Sequence, residues 1–134
     1  MGDVNITVLT VDDEAGLAGS IQRVLTSEGY STSMETDGIA AVNFYKENRP
    51  DITLIDVALG DNSINGIEVL KKIREFDSKA ICIMVTRITD EPAVKMAKEA
   101  GALHYVLKPL SGDDIIEIVK EAVPVVLQRR TANA

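Results

Sequence analysis

The chain has 134 residues, enough for one domain with a real core, and its 46% hydrophobic, 26% charged and 4% aromatic content points to a globular fold packed with aliphatic side chains. A formal net charge of -7 repels phosphate backbones, which argues against direct nucleic-acid binding by this chain, and no basic run would hold it to an anionic membrane. No apolar stretch approaches the ~20 residues of a membrane span. The start Met1-Gly2-Asp3-Val4-Asn5 lacks a signal-peptide layout, so a cytoplasmic location is expected.

In chain order, Ile6 to Val11 is a strand-length apolar run that ends on Asp12-Asp13. Leu17, Ile21, Val24 and Leu25 then recur at helical spacing, with Gly29 as the stop. Tyr30 to Glu35 alternates with Ser and Thr and reads as an edge strand. Ile39 to Asn48 is a second helix, ended by Arg49-Pro50. Ile52 to Val57 is the next strand and carries Asp56 inside it. Ile67, Leu70, Ile73 and Arg74 mark a third helix.

Ala80 to Val85 is again continuously apolar and is followed by Thr86; its Cys82 has no second cysteine to pair with and reads as a small core hydrophobe in a reducing compartment. A fourth helix spans about Pro92 to Ala100, with proline near its first turn and Gly101 after its end. Leu103 to Leu107 is the last strand and leads into Lys108-Pro109. The final helix opens at Ser111 with Asp114 in capping-box position, and Ile115, Ile116, Val119 and Val123 face inward. Pro124 is expected to kink or end it. That leaves Val125 to Ala134 as a further helical turn, a loose end or the start of a linker.

Five strand–helix alternations with short links imply parallel strands joined by right-handed crossovers. The strong strands are continuously apolar, as strands covered on both faces are. In such a sheet function collects at the carboxyl ends of the strands. Asp12-Asp13, Asp56, Thr86 and Lys108 all stand at those ends. Singly each has a plain explanation: a helix cap, a chance exposure, a satisfied hydroxyl, a solvated cation. Together they describe three carboxylates whose mutual repulsion a divalent cation and one lysine would balance. Hard carboxylate oxygens suit Mg²⁺, and a carboxylate beside such an ion is a plausible nucleophile toward phosphorus. Lys108 and Thr86 would then stabilise charge on the transferring oxygens.

Val11-Asp12-Asp13-Glu14, Leu54-Ile55-Asp56, Val85-Thr86 and Tyr105-Val106-Leu107-Lys108-Pro109 resemble, in this order, the receiver domains of two-component response regulators. The resemblance covers residues 4–127, with 128–134 left as a C-terminal tail or linker start. It implies a single-domain, CheY-like, flavodoxin-like doubly wound (βα)5 fold with strand order 2-1-3-4-5. It implies Asp56 as phosphoacceptor, served by a sensor histidine kinase or a histidine phosphotransfer protein. Asp13, Asp56 and the backbone carbonyl of Ala58 would ligate Mg²⁺, with Asp12 acting mainly through a bound water. Lys108 would pair with the phosphoryl oxygens and Pro109 would follow a cis peptide. Thr86 would swing toward the phosphoryl group and Tyr105 inward, altering the face of the fourth helix, last strand and last helix. That face would control a downstream target or output domain, and pairing of two copies through it stays open. Such a chain catalyses only its own phosphorylation and dephosphorylation.

Three positions depart from the family pattern. Gly60 stands where Pro is frequent, and Gly66 lies ten residues after Asp56, so the loop through Gly60-Asp61-Asn62-Ser63 is longer than common. Arg87 follows Thr86 where small residues are usual; it could shield the phosphoryl group, slow access, or pair with an acid. Leu110 replaces a frequent aromatic. The first two bear on rates. An aspartyl phosphatase of the haloacid dehalogenase type would want a second acid at Ala58, and an FMN carrier would want a hydroxyl- or glycine-rich cradle at Asp12-Asp13. A receiver that docks without phosphorylation remains the main alternative. His104, Met34, Met84 and Met96 read as structural.

Overall fold

The structure, a computed structural model, describes residues 5–60 and 64–132. The expectations placed on Val4, on Asp61-Asn62-Ser63 and on the last two residues lie outside that range.

Ten elements alternate strictly: β1 Thr7–Val11, α1 Ala15–Ser27, β2 Ser31–Glu35, α2 Gly38–Asn48, β3 Ile52–Ile55, α3 Gly66–Phe76, β4 Cys82–Thr86, α4 Glu91–Glu99, β5 His104–Leu107 and α5 Gly112–Ala132. The five strands are parallel in the order β2-β1-β3-β4-β5, the doubly wound arrangement expected. Local chemistry sets the helix starts. Asp37, Asn65 and Asp90 each accept the backbone N–H of the third helical residue. Ser111 and Asp114 make the reciprocal capping box: each side chain accepts the other's amide, at 3.1 and 2.9 Å.

The sheet divides two apolar layers. Leu9, Val11, Ile55, Cys82 and Met84 turn toward α2, α3 and α4, where Val42, Tyr45, Leu70, Ile73 and Ala97 meet them. Val8, Ile52, Leu54, Ile83 and Val85 turn the other way, onto Ile21 and Leu25 of α1 and Ile115, Val119 and Val126 of α5. This two-sided cover explains the unbroken apolar runs of the central strands. The alternating β2 segment is the edge strand that its sequence predicts.

One expectation is corrected, and one alternative left open is decided. β3 stops at Ile55, so Asp56 and Val57 lie just past the strand. The last helix passes through Pro124 without ending and runs to Ala132. Proline gives up the bond to the Lys120 carbonyl. Pro124 itself is exposed, and Val126 beyond it is 1% exposed in the core. Arg129 donates to Asp77 at 2.6 Å and Arg130 to Asp51 at 2.9 Å, so the last turns are fastened to the amino-terminal end of the sheet. Core burial and two ion pairs outweigh one lost hydrogen bond.

Candidate functional site

The register β1 Val11 to β3 Ile55 sets the residues after each strand side by side, and the Asp56 amide donates to the Val11 carbonyl at 2.9 Å. β5 closes the row from the far side through the Thr86–Leu107 pairing, and the Lys108 amide donates to the Thr86 carbonyl. The parallel sheet thus brings Asp12, Asp13, Asp56, Thr86 and Lys108 to one end, as the sequence predicts.

Lys108 Nζ donates to Asp12 Oδ2 at 2.7 Å and to Asp56 Oδ2 at 2.8 Å. All three side chains are nearly closed off from solvent, at 3%, 3% and 8% exposure. The other oxygens face backbone: Asp12 Oδ1 accepts the Glu14 amide at 2.9 Å, and Asp56 Oδ1 accepts the Ala58 amide at 3.1 Å. Asp13 is exposed beside them, and one carboxylate oxygen from each of Asp12, Asp13 and Asp56 falls within 4.8 Å of the others. Such a set of hard oxygen donors suits a small divalent cation.

One lysine cannot neutralise this cluster. Burial works against the charge on Lys108, but its hydrogen bonds to Asp12 and Asp56 outweigh that and raise its pKa, so it stays cationic. Burial pushes the Asp12 carboxyl above its ordinary value, and the bonds from Lys108 and the Glu14 amide offset that only in part. Asp12 is therefore the under-compensated member. An added cation would find excess negative charge here.

Thr86 is fully buried, and its hydroxyl accepts the Ile88 amide at 3.3 Å. The Tyr105 hydroxyl donates to the Ile88 carbonyl at 2.7 Å, and burial pushes its pKa up. Both residues thus grip the backbone of Ile88, one at its N–H and one at its C=O. Ile88 carries no sequence signal, because only its main chain takes part. The Lys108–Pro109 peptide is cis. Arg87 lies at the surface and donates to Glu14 at 3.1 Å, the acid-pairing alternative among those raised for it. His104 is exposed on β5, Met84 is buried and Met96 is exposed. Cys82 is buried, with burial pushing its thiol up to about 12, as a core residue would be.

Gly66 is a site residue that spacing alone did not reveal. Its amide donates to the Val57 carbonyl at 2.8 Å, and a Cβ there would lie 1.9 Å from the Asp56 carbonyl oxygen. The start of α3 thus presses directly on the backbone that carries Asp56, at a distance only glycine permits.

A family profile for the response regulator receiver domain matches residues 8–120. The chain belongs to the response regulator receiver family. Receiver domains are signalling modules, and the relatives agree with that class. The chain is similar to sporulation initiation phosphotransferase F of Bacillus subtilis, 31% identical over 121 residues that cover 90% of this chain and 96% of that protein. It is 36% identical over 113 residues to the DNA-binding response regulator MtrA of Mycobacterium tuberculosis, covering 84% of this chain but 48% of that protein. The chain thus spans about half the length of MtrA. Among solved structures, CheY in a CheX–CheY complex with beryllofluoride and magnesium from Borrelia burgdorferi superposes with a TM-score of 0.81 at 30% identity, covering 88% of this chain and 89% of that one.

Proposed function

We propose that this receiver is a cytoplasmic phosphoacceptor switch in which Asp56 takes a phosphoryl group from a phosphohistidine on a sensor kinase or phosphotransfer protein. The observation that carries the reading is the Lys108 ammonium spanning two buried carboxylates, with Asp13 open alongside. An Asp56 oxygen attacks phosphorus, the P–N bond to the donor imidazole breaks, and its electron pair leaves with the imidazole. Lys108 already stands within hydrogen-bond distance of Asp56 Oδ2 and turns to the phosphoryl oxygens as they arrive. Mg²⁺, held by Asp12, Asp13, Asp56 and the Ala58 carbonyl, would supply positive charge against the phosphoryl oxygens.

The Thr86 hydroxyl leaves the Ile88 amide to donate to the phosphoryl group, and Ile88 is also the residue that Tyr105 holds. Movement of Thr86 therefore loosens one of two bonds to the same residue and shifts the preferred packing of Tyr105 on β5. The face of α4, β5 and α5 then controls a target protein or output domain, and offers a surface on which two copies could pair. The likeness to MtrA, about twice as long, fits a chain joined to an output domain; the likeness to phosphotransferase F fits a stand-alone relay.

Intact-protein mass after incubation with Mg²⁺ and acetyl phosphate tests the reading. Gain of one phosphoryl group is expected in the wild type and neither in Asp56→Asn nor without divalent ion. No gain, together with no spectral change at Thr86 or Tyr105 on adding beryllofluoride, would leave the docking-only alternative.

A further inference from the structure

The sheet order sets β3 between β1 and β4, so the loops after β1 and β4 flank Asp56 on opposite sides. Glu14 is the residue after Asp13, and Arg87 is the residue after Thr86. Their side chains meet at 3.1 Å, joining loops 73 residues apart in sequence across the end of β3. The bridge is tied to the acid cluster through the Glu14 amide, which Asp12 holds; at its other foot Arg87 stands next to Thr86 and shares with Lys108, Leu17 and Leu110 a cavity of about 100 Å³ on the α1 and α5 side of the sheet, apart from the three acids. Both partners remain more than half exposed, at 61% and 54%, so the pair sits at the rim and takes no part in the buried charge balance.

We propose that the Glu14–Arg87 pair is a gate over Asp56 that makes the site selective for a docked protein donor over water and small phosphodonors; the inference rests on the phosphoacceptor reading above. An exposed ion pair favours its closed state by only about two- to five-fold. A protein donor that docks around the rim has binding energy to open it, whereas acetyl phosphate and water do not. Loss of the phosphoryl group follows the same route. A water oxygen attacks phosphorus, the bond from Asp56 to phosphorus breaks to restore the carboxylate, and both water protons leave on inorganic phosphate.

The test uses the full chain with saturating Mg²⁺ and compares wild type, Arg87→Ala, Glu14→Ala and the charge swap Glu14→Arg/Arg87→Glu. Phosphoryl uptake from acetyl phosphate and its later loss are followed by intact mass. Both single variants are expected to run about two- to five-fold faster than wild type, with the swap returning toward the wild-type rates. The wild type should also speed up from low to high ionic strength, as salt screens the pair, while the single variants stay level. If Arg87 acted on the phosphoryl group directly, Glu14→Ala would free it and slow the loss, which overturns the gate. Equal rates in all four proteins also overturn it while leaving Asp56 as the acceptor. If no variant gains a phosphoryl group and beryllofluoride leaves Thr86 and Tyr105 unchanged, the acceptor reading itself fails.

Discussion

Replacing Lys108 with Met tests the charge balance at the strand ends. The substitution keeps the apolar stem but removes the ammonium that contacts Asp12 and Asp56 at 2.7 and 2.8 Å. Deleting one partner of a buried pair costs about 3–5 kcal/mol, because the remaining charge is left uncompensated. Protonation caps the penalty. Bringing one carboxylate from its ordinary pKa to ~pH 7 costs about 4 kcal/mol, and at ~pH 5 only about 1.5 kcal/mol. Urea unfolding should therefore show Lys108→Met less stable by about 3–4 kcal/mol near neutrality, with the gap narrowing in acid.

The sign follows from Asp12. Its folded pKa already lies above the ordinary 3.8, and losing Lys108 removes causes that lower it. A group with a raised folded pKa loses its contribution as pH climbs through that value, so the deficit grows from acid to neutral. Millimolar-range Mg²⁺ should restore part of the stability by supplying the missing charge. A loss below about 1 kcal/mol near neutrality, or a gap independent of pH, would refute the claim that these carboxylates are buried and under-compensated.

Gly66→Ala should destabilise the fold by about 1–3 kcal/mol in urea and slow phosphoryl uptake, since its Cβ displaces the Asp56 carbonyl. Gly16→Ala, with nothing within 4 Å of its Cβ, is the control and should be neutral or slightly stabilising. At the opposite end of the sheet, burial works to raise the Asp77 pKa, but hydrogen bonds from Tyr45, Arg129 and the Lys79 amide win and hold it below 3.8. Its contribution is present above that unfolded value and is lost as pH falls through the folded one. Asp77→Asn should therefore flatten the acid limb of a stability-against-pH series; parallel limbs in the two proteins would rule the network out as its source.

The sequence exposed the strand ends because burial on both faces makes a strand a near-continuous apolar run, so a single polar residue such as Asp56 stands out. The edge character of β2 is legible for the complementary reason: Ser31, Thr32 and Ser33 are polar, and no residue of the strand is buried. What stayed hidden depends on main-chain atoms or on long-range pairing. Ile88 joins Thr86 to Tyr105 only through its N–H and C=O. The contact of Gly66 with the Asp56 carbonyl is a packing distance. The course of α5 beyond Pro124 stays open in the sequence because Pro124 is a local signal, whereas the contacts carrying the helix past it come from Asp77 and Asp51, 52 and 79 residues away.

The two ends of the sheet treat a buried carboxylate in opposite ways, and the contrast bears on where the proposed switch would sit. Asp77 receives a hydroxyl, a guanidinium and an amide, so its charged form is favoured and nothing is gained by adding a ligand. Burial disfavours the charged form of Asp12, and the one ammonium it shares with Asp56 and the Glu14 amide offset that only in part. A bound cation can shift an equilibrium only where it interacts differently with the competing states. The amino-terminal end offers no such difference among the described residues around Asp77, and serves to clamp α5. The carboxyl-terminal end holds partly offset charge at Asp12, and Lys108, which bonds it, donates its amide to the Thr86 carbonyl at the start of the Thr86–Ile88–Tyr105 contacts; Ile88 belongs to the loop leading into α4. Under the proposed phosphoacceptor reading, charge added at Asp56 would act beside this partly offset charge, and the bonds it would exchange are the two to Ile88, at 3.3 and 2.7 Å.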